Sequence, residues 1–95
     1  MVVVTAKMFF KEDGIEEGKK ILEELVKKTN EEDGCIEYKA YVSNENKLDL
    51  VIIEKWESNA HLDAHSKSKH FTELLPKLGA FTSKEPEIST YSILF

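Results

Sequence analysis

Residues 47–57, KLDLVIIEKWE, restrict the fold more than any other stretch. Their β-branched and aromatic content reads as a strand. Successive side chains of a strand point to opposite faces. Leu48, Leu50, Ile52, Glu54 and Trp56 therefore share one face, and Val51 and Ile53 share the other. The first strand, VVVTAKMFF at 2–10, has the same character, with Val2, Val4 and Met8 opposed by Val3 and Phe9. A sheet with one wet face alternates apolar and polar residues. These strands do not, so both faces of their sheet need cover.

The remaining elements follow from periodicity and turn chemistry. After EDG, apolar residues recur at helical spacing through Ile15, Leu22, Leu25, Val26 and Thr29, which predicts a helix over 14–31. Asp13 with Glu16 three residues later reads as a capping box at its start. Gly34 is placed for its C-terminal turn. CIEYKAYVS at 35–43 is a second strand, paired through a turn at NEN with the strand over 47–57. Ser58 or Asn59 caps a second helix, which breaks near Ser66–Ser68 and resumes with an apolar stripe of Phe71, Leu74, Leu75 and Leu78. Pro76 should end or kink that piece. ISTYSILF at 88–95 is the last strand.

The order β-α-β-β-α-β, with no repeat or linker, is the ferredoxin-like arrangement of the α+β class: one domain over 1–95, a four-stranded antiparallel sheet with two helices on one face. The helices cover one face only. The simplest cover for the other is the same sheet of a second copy, so the pattern predicts a homodimer packed sheet to sheet. Chain length points the same way, since 95 residues bury only about 60–65% of their unfolded surface.

Charge removes several function classes. The net charge is −5, all basic residues are Lys, and the lysines alternate with Glu and Asp on helix faces. Without Arg and without a basic stripe, nucleic acid is not an expected partner. No apolar run reaches the ~20 residues of a membrane span, and the N-terminal residues lack a signal-peptide pattern, so a cytoplasmic location is expected. The lone Cys35 allows no internal disulfide and reads as a small core residue.

Residues 54–71, EKWESNAHLDAHSKSKHF, hold the only Trp and all three His. His61 and His65 lie four apart, about 40° around a helix, and such a pair can chelate a metal. A third ligand would have to come from Glu57, Asp63 or His70, Asp63 points elsewhere on the helix, and the Glu that usually follows the first His is missing. No metal is expected. Trp56 is either core or a wall for an aromatic ligand. Glu54 at the end of an apolar face needs a partner, either a Lys or a His that it orients. Tyr38 either packs or donates a hydrogen bond to a bound oxygen.

GCIEY at 34–38 and VIIEKWESNAHLDAHSKSKHF at 51–71 resemble the antibiotic biosynthesis monooxygenase family. The matching residues are Gly34, Cys35, Tyr38, Glu54, Trp56, Leu62, Ala64, His65, Ser68, His70 and Phe71. The resemblance implies a dimeric α+β barrel and a small monooxygenase that oxidises phenolic or quinol substrates with dioxygen, without flavin, haem or metal. His65 occupies the recurring His position of the family. It is placed between the second helix and the sheet as the general base, while His61 faces solvent. Trp56, Tyr38, His70, Phe71 and Glu54 would bind the aromatic substrate. No dinucleotide fingerprint, phosphate loop or haem-attachment motif is present, in keeping with no cofactor. Some relatives place an Arg near the substrate, and this chain has none. Two other readings use the same pocket: a non-oxidative isomerase or lyase, and a protein that binds haem or a small metabolite without turnover.

Overall fold

The structure is a computed structural model describing residues 1–95. The elements are β1 (Val2–Phe9), α1 (Ile15–Thr29), β2 (Cys35–Val42), β3 (Asp49–Trp56), α2 (Asn59–Ser66), α3 (Lys69–Leu78), a 3-10 turn (Gly79–Phe81) and β4 (Glu87–Ser92). The strands form one antiparallel sheet in the order β2-β3-β1-β4. This is the α+β, ferredoxin-like arrangement the sequence predicts, with the second helix in two pieces.

Alternation along the strands sets the core. Val2, Val4, Ala6 and Met8 of β1 and Leu50, Ile52, Glu54 and Trp56 of β3 are buried on the helix side. Helix α1 meets them with Ile15, Leu22 and Leu25, and α3 with Leu74 and Leu78. Acidic Glu16 and Glu17 open α1, and Lys27 and Lys28 close it, each favourable for the helix dipole.

Three local expectations need correction. The capping box is absent: the cap is Gly14, one residue later, and no side chain caps it. That leaves Asp13 outside the first turn, where its carboxylate does not reach the orphan N–H groups. Pro76 does not stop α3 at once. It lies in the last turn, and the helix runs two residues further to Leu78 before tightening into the 3-10 turn. β4 ends at Ser92, opposite Val2, the first residue of β1. Ile93, Leu94 and Phe95 beyond it are exposed.

The outer face of the sheet has no helix over it. Val3 and Phe9 of β1 and Val51 and Ile53 of β3 are half-buried there, and Tyr41 and Tyr91 are 44% and 53% exposed. The two-sided apolar pattern of the strands thus leaves one apolar face open in a single chain.

The turn from α1 into β2 is held tightly. Asn30 uses its side-chain amide to bond Val26 O and Tyr38 O, both at 2.9 Å. Gly34 has φ of +80°, the left-handed region that favours glycine. A Cβ there would also collide with the ring of His61. Gly34→Ala is therefore expected to destabilise the fold by at least about 1–2 kcal/mol, read as a lower midpoint in urea unfolding.

Candidate functional site

The site forms where β3 ends and the broken helix begins. Trp56, the last residue of β3, is fully buried. Glu54 lies two residues earlier on the same face, and Tyr38 stands opposite it across the β2–β3 ladder. Ser58 caps α2 by accepting the backbone N–H of His61. The cap sets the helix phase, and that phase turns His65 inward. It is the only buried residue of α2. Its ring packs 4.8 Å from Trp56, 5.5 Å from Tyr38 and 4.7 Å, edge-on, from Phe71 (centroid distances).

A residue that sequence reasoning missed completes the site. Glu32, in the turn between α1 and β2, places Oε2 2.6 Å from His65 Nδ1 and 2.8 Å from His70 Nε2. One carboxylate oxygen thus holds both rings. A carboxylate accepts, so Nδ1 of His65 carries the proton of the neutral ring and Nε2 presents a lone pair. That Nε2 is sealed from solvent and has no partner in the protein. Burial holds the His65 pKa below the usual histidine range, and the bond to Glu32 works against that shift. The only signal for Glu32 in the sequence is its place two residues before the Gly-Cys segment. Its pairing spans 33 and 38 residues, which no local pattern reveals.

The ligand atoms of Glu32, His65 and His70 lie within 4.8 Å of one another, a possible cation cage. Metal at Nδ1 would move the ring proton of His65 to Nε2, where no acceptor waits among aromatic rings. The donor set suits a network of protons better than an ion.

Glu54 takes neither partner expected of it. It is 6% exposed and accepts the indole N–H of Trp56 at 2.9 Å. Lys55, its neighbour, reaches instead to Glu37 at 3.3 Å. Burial raises the Glu54 pKa to about 7; the Trp56 bond opposes this and the charge of Glu32 adds to it. Burial also raises the Tyr38 phenol, and pushes the Cys35 thiol up to about 11. Cys35 is thus no ready nucleophile, consistent with its place against the core.

His61 departs from the free surface position expected of it. It is half-buried over Gly34, with Nδ1 2.8 Å from Ser58 Oγ and Nε2 3.6 Å from Asp33. His70 bonds to Glu32 and lies 3.3 Å from Ser68 Oγ, and does not bond backbone. The junction is closed. The largest cavity, about 670 Å³, lies elsewhere, between Met8, Leu75, Leu78 and the segment 82–86. Met8 is at the opposite end of β1 from Val2, which pairs with Trp56. That cavity contains no His and none of the residues named above, so the chemistry-bearing groups, not the larger volume, mark the site.

Glu54 makes a measurable contribution to the pH dependence of stability. Its carboxyl binds a proton more tightly when folded than when unfolded. Between the ordinary glutamate value of 4.5 and about 7 the folded state holds the extra proton, so this contribution falls as pH rises. The fall amounts to roughly 3 kcal/mol. His65, lowered on folding, acts in the opposite sense over its own range below 6.5. The difference between wild type and Glu54→Gln isolates the carboxyl. Urea unfolding from pH 4.5 to 8 is expected to show the wild type losing ground to the variant as pH rises.

The family profile for Antibiotic biosynthesis monooxygenase matches residues 1–77. A crystal structure of an antibiotic biosynthesis monooxygenase superposes with a TM-score of 0.95 at 31% identity, covering 99% of both chains. A conserved protein from Methanosarcina mazei Go1 gives 0.93 at 36% identity over 95% of this chain and 89% of that one. An uncharacterised protein of Synechocystis is 28% identical over 97% of this chain, which spans 63% of that relative's length.

Proposed function

This chain belongs to the antibiotic biosynthesis monooxygenase family, and from that premise we propose that it is a cofactor-independent monooxygenase of a small hydroxyaromatic or quinol-type substrate. One observation carries the reading: the buried, unpartnered Nε2 of His65, with Nδ1 held by Glu32 at 2.6 Å. A neutral imidazole with a fixed tautomer and a free lone pair in apolar surroundings is a base waiting for a hydroxyl proton.

In this mechanism the substrate hydroxyl gives its proton to Nε2. Glu32 stabilises the imidazolium that forms, as the carboxylate of a catalytic triad does. The electron-rich anion passes one electron to dioxygen. Recombination with superoxide forms a carbon–oxygen bond and a peroxide. Loss of the remaining proton from that carbon, with cleavage of the O–O bond, leaves a new carbonyl and releases the second oxygen as water. Trp56, Tyr38 and Phe71 provide the aromatic walls, and exclusion of water favours each charge-transfer step.

Oxygen uptake with a panel of hydroquinones and naphthols tests the activity. His65→Asn keeps a donor toward Glu32 but removes the base, and is expected to lower turnover by about 10²–10⁴-fold. Full turnover in that variant would refute the assignment. Conversion of a substrate without oxygen consumption would instead identify an isomerase or lyase using the same base.

The same reading includes a homodimer in which the outer faces of two sheets cover each other. Val3, Phe9, Tyr41, Val51, Ile53 and Tyr91 supply an apolar surface there. Sedimentation velocity at micromolar concentration is expected to give a dimer, and a Val51→Lys variant a monomer.

A further inference from the structure

We infer that His70 is a positioning residue which, through the carboxylate it shares with His65, sets the pH range in which His65 accepts a proton. Glu32 serves as counter-ion to one imidazolium at a time, and the two rings compete for it.

The geometry of the cluster carries this. Both rings bond the same atom, Glu32 Oε2, at 2.6 and 2.8 Å. Their centroids are 6.2 Å apart. His65 is faced by Glu32 from the α1–β2 turn, by Tyr38 and Trp56 from the sheet, and by His70 and Phe71 from α3. Glu54 stands behind Trp56 on the same sheet face. No Lys forms an ion pair with Glu32, and its ion-pair partners are these two rings. One imidazolium is therefore matched by one carboxylate, and a second is not. Like charges about 6 Å apart at an effective dielectric near 20 oppose each other by roughly one to two pH units.

The rings are not equivalent. His65 has a side chain 2% exposed, and His70 one 17% exposed. Burial makes His65 the ring that goes without charge when His70 carries it. Repulsion from a charged His70 is among the causes that depress His65, which agrees with the geometry. When His70 is neutral, the whole of the Glu32 charge is available to His65.

The catalytic consequence rests on His65 being the base; the coupling itself does not. Long-range 15N–1H NMR of labelled protein reads it directly, with no substrate. His70→Gln retains a side-chain donor for Glu32 but cannot charge. It is expected to raise the His65 midpoint by about one pH unit or more while Nδ1 stays the protonated nitrogen. His61→Gln, outside the cluster, is the control and should leave that midpoint in place. His70→Asn, which also cannot charge, is the second variant and should move the His65 midpoint in the same direction. This second variant also decides the matter if His70→Gln does not fold. An unmoved His65 midpoint in the His70 variants, or an equal shift in the control, would overturn the inference. If a substrate is found, the acidic limb of its pH–rate profile should move up with the His65 midpoint in His70→Gln. If none is turned over, the NMR result still stands and only the assignment of His65 as base fails.

Discussion

The carboxylate of Glu32 joins the α1–β2 turn to the end of α2 and the start of α3, 33 and 38 residues further along the chain. Much of the site depends on it. Without an acceptor at Nδ1, either tautomer of His65 would be open, and the lone pair at Nε2 would not be reserved for a ligand. The same bond anchors α2, whose only buried side chain is His65. The turn that presents Glu32 is itself held by the Asn30 amide and by the left-handed backbone at Gly34. A conformational requirement at one glycine is in this way linked to the protonation state of a ring on another element.

Polar groups at this junction sit inside an apolar core and show how such groups are accommodated. Glu54 replaces an aliphatic residue on the buried face of β3, and its one bond is to the indole of Trp56. With no cation beside it, its carboxyl favours the protonated form near neutrality. His65 is driven the other way, toward the neutral ring. Both shifts reduce charge in the interior, and Glu32 faces two rings that can pair with it.

The second physical theme is the sheet. Its helix side is filled by the side chains of α1 and α3, while its outer side presents Val3, Phe9, Val51 and Ile53 with two exposed tyrosines. Two layers bury one face of a sheet and leave the other to solvent or to a partner. The lysines interleaved with that face, Lys7, Lys39 and Lys55, keep it from being uniformly apolar. Lys84 lies 4.0 Å over the Phe9 ring, which puts a charge at the edge of the same surface.

Local patterns were enough to determine the order of elements, which side chains share a strand face and the break at Ser66–Ser68, while the placement of His65 at the pocket came from the family resemblance. Side-chain period and cap chemistry act over a few residues and can be read from a few residues. The family resemblance likewise rests on short segments, GCIEY and the stretch from Val51 to Phe71. What only the tertiary structure decided is who meets whom. Glu32 closes the site although no local pattern marks it, because its partners lie 33 and 38 residues away. Glu54 was expected to find a Lys or a His, but the neighbouring Lys55 points to the opposite face and the indole two residues on is within reach. His61 and His65 share a helix face by arithmetic, yet one lies over Gly34 and the other enters the core. Periodicity assigns a face to each side chain, and packing across distant segments assigns the partner.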